Sequence, residues 1–318
     1  MPNWTKSHRD YKPILISTGL TCSAKSTTIR QTNKISNMST CKVIHGRFRV
    51  KGYSPDGDSI RFEADNHTNW SWPGFKWKSD YGKKRKRKQI RIEAIDALET
   101  HYIGFSQPGA FSVAAMESLL EMLGIKNYVF NLAVNRIDEA DDLTHGAIVT
   151  AGVDIFDRPI CFVFPDGVEM EDGAEIEMSE LPWKKSLNYR LLERGLVFPT
   201  FYNSLDEGIL DEFRKATRRM LANSKGLWAV DRTRGFDLWD VKTVQERVVI
   251  MPKFFRRLIR FFEARTTFEE LPDYLKQTRE KVIDLKTGKT DRFTKLIEVE
   301  GRRIGLTVNP EDLQLIPG

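Results

Sequence analysis

Residues 91–99 read RIEAIDALE, a stretch in which apolar and polar residues alternate before two carboxylates, Asp96 and Glu99, close it. Such alternation is typical of a β-strand with one buried face. Acidic side chains grouped at the end of a strand offer the oxygen ligands that hard cations prefer. The segment therefore predicts a strand that ends at a metal site, and this limits the folds that the chain can adopt.

Other segments show the same combination of strand and charge. Residues 56–62 (DGDSIRF) begin as a turn and continue as a strand. Residues 154–164 pass from a turn that holds Arg158 into an apolar run. A strand-like run at residues 42–52 precedes them all. The first half of the chain is therefore predicted to be rich in strands that carry charged residues at their ends.

Helices are predicted farther along the chain. Helical spacing indicates a helix over residues 110–123, for which Gly124 supplies a C-cap. A short helix is predicted over residues 186–194, and residues 204–207 form a capping box that opens a longer one. This order of elements predicts an α+β fold: a five-stranded OB-type Greek-key barrel with flanking helices.

Together, these segments resemble the staphylococcal-nuclease-like (thermonuclease) family over residues 42–231. The motifs of that family have the form Asp-Gly-Asp-Thr, Arg-Leu-x-x-x-Asp-x-Pro-Glu and Tyr-Gly-Arg. All five functional positions of these motifs are present here, and carried over one by one they fall on Asp58, Arg91, Asp96, Glu99 and Arg158.

The resemblance implies a metal site. Asp58 and Asp96 would be its carboxylate ligands, and the backbone carbonyl of Ala97 would add a third oxygen. Ca²⁺ is the expected cofactor because it binds such hard oxygen donors, and another divalent cation is the alternative.

The resemblance also implies three catalytic side chains. Glu99 would act as the general base that activates a water molecule. Arg91 and Arg158 would hold the phosphate through bidentate contacts and stabilise the negative charge that grows on it. The expected products are a 5′-hydroxyl and a 3′-phosphate.

The chain departs from the family motifs at three places: Ser59 stands where threonine is usual, Leu98 where proline is usual, and Phe156 with Asp157 replaces the Tyr-Gly pair. None of these changes removes a catalytic group. Leu98 lifts a backbone restraint in front of the predicted base. Asp157 is expected to pair with Arg158 and to weaken its hold on phosphate.

A net charge of +6 and a pI of about 9.1 favour a polyanionic partner, DNA or RNA, although a solvated basic surface gives the same total. Residues 66–88 combine aromatic residues with a run of six basic ones. Stacking surfaces beside positive charge are typical of single-strand binding sites. The predicted substrate contacts are Trp72, Trp77, Lys83, Lys84, Arg85, Lys86, Arg87 and Lys88. The alternative is that the aromatics pack a long loop onto the barrel and that the charges are solvated.

Three regions are predicted along the chain. Residues 1–41 are expected to be a disordered tail, residues 42–232 a staphylococcal-nuclease-like OB-fold domain, and residues 236–318 a smaller C-terminal α+β accessory unit of a helix and a hairpin. The helix of this unit begins at Pro252 and has an apolar stripe opposite a basic face. Docking against the nuclease domain is the favoured interpretation, with contact to nucleic acid or to a membrane surface as alternatives.

Location is predicted from the cysteines and the N-terminus. Three cysteines without paired spacing indicate reduced thiols and a cytoplasmic protein. Secretion is the alternative because the family that the chain resembles includes secreted nucleases, although the N-terminus is a poor signal peptide. Met38 is a second candidate start. No apolar run is long enough to span a bilayer, so stable membrane insertion is not expected.

These features predict a metal-dependent nuclease that hydrolyses phosphodiester bonds of DNA or RNA by metal-assisted attack of water. Two alternatives stay open. One is a catalytically weak or inactive OB-fold module that binds nucleic acid or a protein. The other is a chain in which the C-terminal unit recruits a partner or senses a ligand, and the nuclease domain carries out the response.

Overall fold

A computed structural model describes residues 40–72, 75–131, 136–264 and 267–316 of the chain. The described residues belong to one compact unit. The predicted disordered tail lies outside them, apart from Thr40 and Cys41, which are part of the first strand and therefore do not belong to a tail.

The strands, in chain order, are β1 (Thr40–Arg49), β2 (Ser59–Ala64), β3 (Arg87–Ile92), β4 (Ile95–Asp96), β5 (Lys126–Asn131), β6 (Arg136–Asp141), β7 (Thr144–Val153), β8 (Pro159–Pro165), β9 (Glu175–Glu177), β10 (Phe198–Pro199), β11 (Phe201–Tyr202), β12 (Phe236–Asp237), β13 (Lys281–Asp284), β14 (Lys289–Arg292), β15 (Ile297–Glu300), β16 (Arg303–Leu306) and β17 (Leu313–Ile316). The α-helices are α1 (Asp80–Lys84), α2 (Gly109–Met122), α3 (Leu187–Glu193), α4 (Glu207–Ala222), α5 (Pro252–Glu263) and α6 (Leu271–Lys276).

Five strands close into a barrel. The ring runs β1, β2, β3, β8, β7 and back to β1, and β9 extends it beside β1. Its pairs are antiparallel except for β3 and β8, which run parallel with Arg91 opposite Ile160. The predicted α+β class is confirmed, and the closed five-stranded barrel is consistent with an OB-type barrel.

Two glycines make room for the aromatic core of the barrel. Gly46 of β1 lies opposite Gly146 of β7. A Cβ on Gly46 would approach Cζ of Phe62 to 2.6 Å, and one on Gly146 would approach Cε2 of Phe48 to 2.7 Å. Both phenylalanines are fully buried. The paired glycines are therefore required by packing, since protein cores leave no space for an additional carbon.

Strand β2 and helices α2, α3 and α5 are confirmed within one or two residues. The single strand predicted over residues 91–99 is wrong, because β3 ends at Ile92 and a turn with Ala94 at a φ of 67° separates it from the short strand β4. The capping box predicted for α4 is wrong. The N-cap is Asp206, whose carboxylate accepts hydrogen bonds from the backbone N–H groups of Gly208 and Ile209 at 2.9 and 3.0 Å. The hairpin of β5 and β6 was not predicted. The apolar residues Tyr128, Val129 and Phe130 of β5 are consecutive and β6 is mostly polar, so neither strand shows the alternation that marks a half-buried strand.

The C-terminal residues share a sheet and a core with the barrel side of the molecule. Strand β11 pairs in parallel with β17, in a sheet that also holds β13 and β14. Helix α5 buries Phe254 and Phe255 completely. These rings belong to a core cluster that also contains Leu98 and Phe198 from the barrel side. The prediction that the Pro252 helix docks through its apolar stripe is therefore confirmed. In the described part of the chain, no helix has the length and apolar character needed to cross a membrane.

A buried carboxylate ties α4 to the C-terminal turn. Asp312 is fully buried and pairs with Arg214 at 2.8 Å, Arg218 at 2.7 Å and Lys286 at 2.9 Å. Burial opposes ionisation of Asp312, but the hydrogen bonds from these three cations outweigh it and hold its pKa below the usual value. The ionised form is therefore the one that the fold stabilises.

Replacing Asp312 with asparagine is expected to lower the free energy of unfolding at pH 7 by about 2 kcal/mol, since a charge-assisted network is lost while Arg218 and Lys286 can return to water. Because the folded pKa is depressed, the contribution is complete above the unfolded value, about pH 4, and is lost as the pH falls through the folded value. Urea unfolding at several pH values checks this. The difference between the two proteins should shrink on acidification, and a constant difference would contradict the assignment.

Candidate active site

The barrel brings Asp58 and Asp96 together. Asp58 precedes β2, and its backbone carbonyl accepts a hydrogen bond from the N–H of Ile92, the last residue of β3, at 2.8 Å. Its carboxylate accepts a hydrogen bond from the N–H of Ala97 at 3.3 Å. Asp96 closes the short strand β4 and pairs across to Phe198 of β10. The two predicted metal ligands therefore face one another although 38 positions separate them in the sequence.

The turn that carries Asp58 is held tightly from both sides. A Cβ on Gly57 would approach the Cβ atoms of Ala115 in α2 and Ala97 to 2.5 and 2.8 Å, so only glycine fits there. The hydroxyl of Ser59 donates a hydrogen bond to Asp56 at 2.6 Å. The serine that replaces the usual threonine therefore keeps a hydroxyl function in the turn.

The pKa values of Asp58 and Asp96 are shifted in opposite directions. Burial, then the neighbouring carboxylates of Asp56 and Asp96, raise the pKa of Asp58 well above its usual range. Burial also opposes ionisation of Asp96, but its ion pair with Arg256 outweighs this and lowers the pKa of Asp96. A side-chain hydrogen bond joins the two aspartates. Asp58 is therefore the more readily protonated member of the pair, and Asp96 the more readily ionised.

Arg256 is the unpredicted member of the site. It projects from α5, and its guanidinium contacts Asp96 through two hydrogen bonds of 2.6 and 3.2 Å. The same group donates a short hydrogen bond to Glu99. Burial opposes the charge of Arg256, but Asp96 and Glu99 outweigh it and raise its pKa well above the usual value. A fixed positive charge from the C-terminal region thus lies between two of the predicted functional carboxylates.

Glu99 lies in a loop that is also tied to the C-terminal region. Its backbone N–H donates to the side-chain oxygen of Gln107 at 3.2 Å. The amide nitrogen of Gln107 donates in turn to the carbonyl of Ile250, two residues before α5, at 2.8 Å. Burial raises the pKa of Glu99, although the ion pair with Arg256 acts in the opposite direction.

Arg91 reaches the same cluster from β3. Its guanidinium donates a hydrogen bond to the hydroxyl of Tyr202 at 3.3 Å and lies 5.3 Å from the centre of that ring. Burial opposes its charge, but Tyr202, Asp96 and Asp58 outweigh the burial and raise the pKa of Arg91. Arg91 is therefore a permanent cation beside the two aspartates.

Arg158 stands apart from this cluster in its contacts. It immediately precedes β8, in which Ile160 pairs with Arg91, so its backbone lies near the site. Its guanidinium forms an ion pair with Asp154 at 2.8 Å. Among the described residues, no ion pair or hydrogen bond joins Arg158 to Asp58, Asp96 or Glu99. The structure thus brings four of the five predicted residues together and leaves the fifth paired elsewhere.

The pairing predicted between Asp157 and Arg158 is wrong. Asp157 has a positive φ of 58° and turns away, and its carboxylate accepts hydrogen bonds from the N–H of Lys78 and the hydroxyl of Ser79. Asp157 therefore anchors the inserted loop, and the neighbour that neutralises Arg158 is Asp154.

The acidic cluster has the chemistry that a hard cation needs, but Arg256 is paired with part of it. Asp58, Asp96 and Glu99 supply the carboxylate oxygens that Ca²⁺ prefers. Two of these three carboxylates are paired with the guanidinium of Arg256. In the described residues, no group of three or more His, Cys, Asp or Glu side chains is disposed to hold a metal ion.

The aromatic part of the inserted loop packs inward. Trp72 is 9% exposed, and its ring lies 4.0 Å from that of Phe75. Trp77 packs edge-on against Trp70, which in turn contacts the barrel ring of Phe62. Packing of the loop onto the barrel is thus the arrangement found, and a nucleic-acid strand reaches Trp72 only if the loop rearranges.

The basic run divides into a buried and an exposed part. Lys88 is 3% exposed, lies 4.2 Å from the centre of the Trp77 ring, and has its pKa lowered to about 8 by burial and by Arg85. Lys88 is therefore not a surface contact for phosphate. The side chain of Lys83 lies outside the described part. The remaining predicted contacts, which are Lys84, Arg85, Lys86 and Arg87, are exposed.

Three of these exposed cations line an open groove beside the barrel. Arg85, Lys86 and Arg87 share it with Arg61, Tyr53 and Glu63, and its volume is about 450 Å³. The guanidinium of Arg61 stacks 3.7 Å from the centre of the Tyr53 ring. The groove thus offers a surface that is rich in positive charge and contains an aromatic ring.

Comparison of the sequence with models of known protein families gives no match, and comparison with curated proteins gives no significant match.

Proposed function

We propose that this chain is a metal-dependent nuclease that hydrolyses phosphodiester bonds of DNA or RNA, built on an OB-type Greek-key barrel with a C-terminal accessory region. The observation that carries the proposal is the convergence of Asp58, Arg91, Asp96 and Glu99 in one partly buried cluster. These are four of the five residues that the family resemblance implies, and they come from two stretches of the chain, residues 56–62 and 91–99. Chance surface charges do not collect in this way, because burying them is unfavourable.

Each residue has a role that its position supports. Arg91 is a permanent cation that can bind a phosphate and stabilise the charge of a pentacoordinate phosphorus. Glu99 can accept a proton from an attacking water once its ion pair with Arg256 opens. Asp58 and Asp96 would hold a divalent cation, preferably Ca²⁺, which when bound would neutralise phosphate oxygens.

The exposed basic groove supports a polyanionic substrate. Arg61, Arg85, Lys86 and Arg87 bring four positive charges to one side of the barrel. Arg61 belongs to β2, which begins directly after Asp58. A nucleic-acid strand bound in the groove would therefore lead toward the acidic cluster, and its affinity should fall steeply with salt.

The test is incubation of the purified full chain with single-stranded DNA, double-stranded DNA and RNA, in Ca²⁺ or in EGTA. The wild type and Arg256→Gln are compared because Arg256 pairs with the proposed base. Cleavage that depends on the divalent ion and is lost in Glu99→Gln is expected. If neither folded protein cleaves any of these substrates with Ca²⁺, Mg²⁺ or Mn²⁺, the proposal is wrong.

A second candidate is a binding module without catalysis. The ion pairs of Arg256 with Asp96 and of Arg158 with Asp154 favour it, because they occupy Asp96 and Arg158, two residues that catalysis would need. Such a module would bind single-stranded DNA through the basic groove. It would bind equally well in Ca²⁺ and in EGTA. Arg61→Ala would weaken this binding, and neither the wild type nor the variant would cleave the DNA.

A further inference from the structure

We propose that Arg256 is a built-in competitor of the divalent cation, so that the guanidinium and the metal ion bind the carboxylate cluster in mutual exclusion. The proposal rests on the proposed function only in taking Asp58 and Asp96 as the cation ligands and Glu99 as the base beside them. Its consequence is a closed site in the resting protein, which opens when the Arg256 side chain leaves.

The contacts of Arg256 are those that a cation would need. Its two terminal nitrogens contact both oxygens of Asp96, and one of them also contacts Glu99. A bidentate guanidinium–carboxylate pair in a partly buried site is among the strongest polar contacts in proteins. A divalent cation on the same oxygens would lie close to the guanidinium, and two positive charges in a partly buried site repel each other strongly, so the two do not bind there together.

The loop that carries the carboxylates is fastened to α5 by further contacts. Leu98, which lies between Asp96 and Glu99 and replaces the proline of the family motif, is 1% exposed and packs in the core cluster of α5. Gln107 bridges the loop to the residues before α5. Arg260 donates a hydrogen bond to the hydroxyl of Tyr102 at 3.1 Å. The departure at Leu98 therefore gives the C-terminal region an apolar anchor at the site itself.

The opening motion belongs to the side chain rather than to the helix. Phe254, Phe255, Leu258 and Ile259 of α5 have no exposed surface, so lifting the helix would expose a large part of the core. The side chain of Arg256 is 26% exposed and has a route to solvent. A rotamer change of one long side chain is a small motion compared with undocking a helix.

The neighbouring cations of α5 provide matched controls. Lys253 and Arg257 both pair with Glu280, outside the acidic cluster. Arg257→Gln therefore removes the same charge from the same helix without touching Asp96 or Glu99. Any effect that is common to Arg256→Gln and Arg257→Gln reflects net charge or helix stability and not the site.

The test is a calorimetric titration of Ca²⁺ into the full chain, without nucleic acid, for the wild type, Arg256→Gln and Arg257→Gln. When the binding-competent state is a minor one, the apparent affinity falls by its population, so Arg256→Gln should bind Ca²⁺ at least about tenfold more tightly than the wild type. Arg257→Gln should match the wild type. Adding Asp96→Asn to Arg256→Gln should abolish the gain.

Equal Ca²⁺ affinity of the wild type and Arg256→Gln would overturn the proposal, as would a gain that survives Asp96→Asn. If Arg256→Gln does not fold, Arg256→Lys provides the same test. One ammonium group cannot form the bidentate contacts of the guanidinium, so the Ca²⁺ affinity of this variant should also exceed that of the wild type. Tighter Ca²⁺ binding by Arg256→Gln without any cleavage would support the competition between Arg256 and Ca²⁺ and would contradict the proposed nuclease activity. Cleavage by proteins whose Ca²⁺ affinities are equal would support the nuclease activity and contradict the competition.

Discussion

Replacing Arg91 with alanine is expected to slow phosphodiester cleavage by about 10²–10³-fold, the loss that follows removal of one group stabilising transition-state charge. The reason is its place as a permanent cation beside Asp58 and Asp96. Single-turnover cleavage of a labelled single-stranded DNA measures the effect, in the wild-type and the Arg256→Gln backgrounds. Binding of the same DNA should change far less, because the basic groove is untouched.

Two variants control for changes in shape and charge around Arg91. Arg91→Lys keeps the charge but loses the planar fork, so an intermediate loss of rate is expected. Tyr202→Phe removes the hydrogen bond of 3.3 Å that orients the guanidinium, and the loss should stay within about tenfold. An Arg91→Ala protein that is folded and cleaves at the wild-type rate would exclude Arg91 from the chemistry.

Replacing Phe254 with alanine is expected to lower the free energy of unfolding by about 3–5 kcal/mol, as for other large aromatic side chains deleted from a core. Phe254 has no exposed surface, and its ring packs against Phe236 of β12 at 6.0 Å. Urea unfolding followed by circular dichroism measures the change. The effect matters for the site because the same helix carries Arg256.

Phe262 offers a matched control on the same helix. It is only partly buried and packs at the margin of the cluster, against Phe261. Phe262→Ala should cost about 1 kcal/mol, a typical value for a single substitution. If both variants lose the same small amount, helix α5 is not docked in the way described, and Arg256 is not held in the site.

The local pattern of the sequence was sufficient to predict most elements of the barrel. Strand β2 and helix α2 carry apolar residues at the periods that their structures require, and Gly124 adopts the positive φ expected just after the end of α2. The convergence of Asp58 and Asp96 was predicted from motif order. It was found because the motifs lie at strand ends that one small barrel brings together.

Arg256 could not be predicted from the sequence. It lies 160 positions from Asp96, and the pattern of α5 shows only which face is apolar and not which partner a charged residue meets. One signal was present: Leu98 is an apolar residue between the carboxylates Asp96 and Glu99, which indicates that something packs against it. The partner of Arg158 was missed for a similar reason, since the positive φ of Asp157 turns its side chain away.

The most direct measurement is a crystal structure of Arg256→Gln grown with saturating Ca²⁺ and a nucleotide diphosphate. We predict a cation held by Asp58 and Asp96 at oxygen distances of about 2.3–2.6 Å, with the guanidinium of Arg91 on the phosphate. A cation and phosphate bound away from these three residues, or none bound at saturation, would contradict the proposed site.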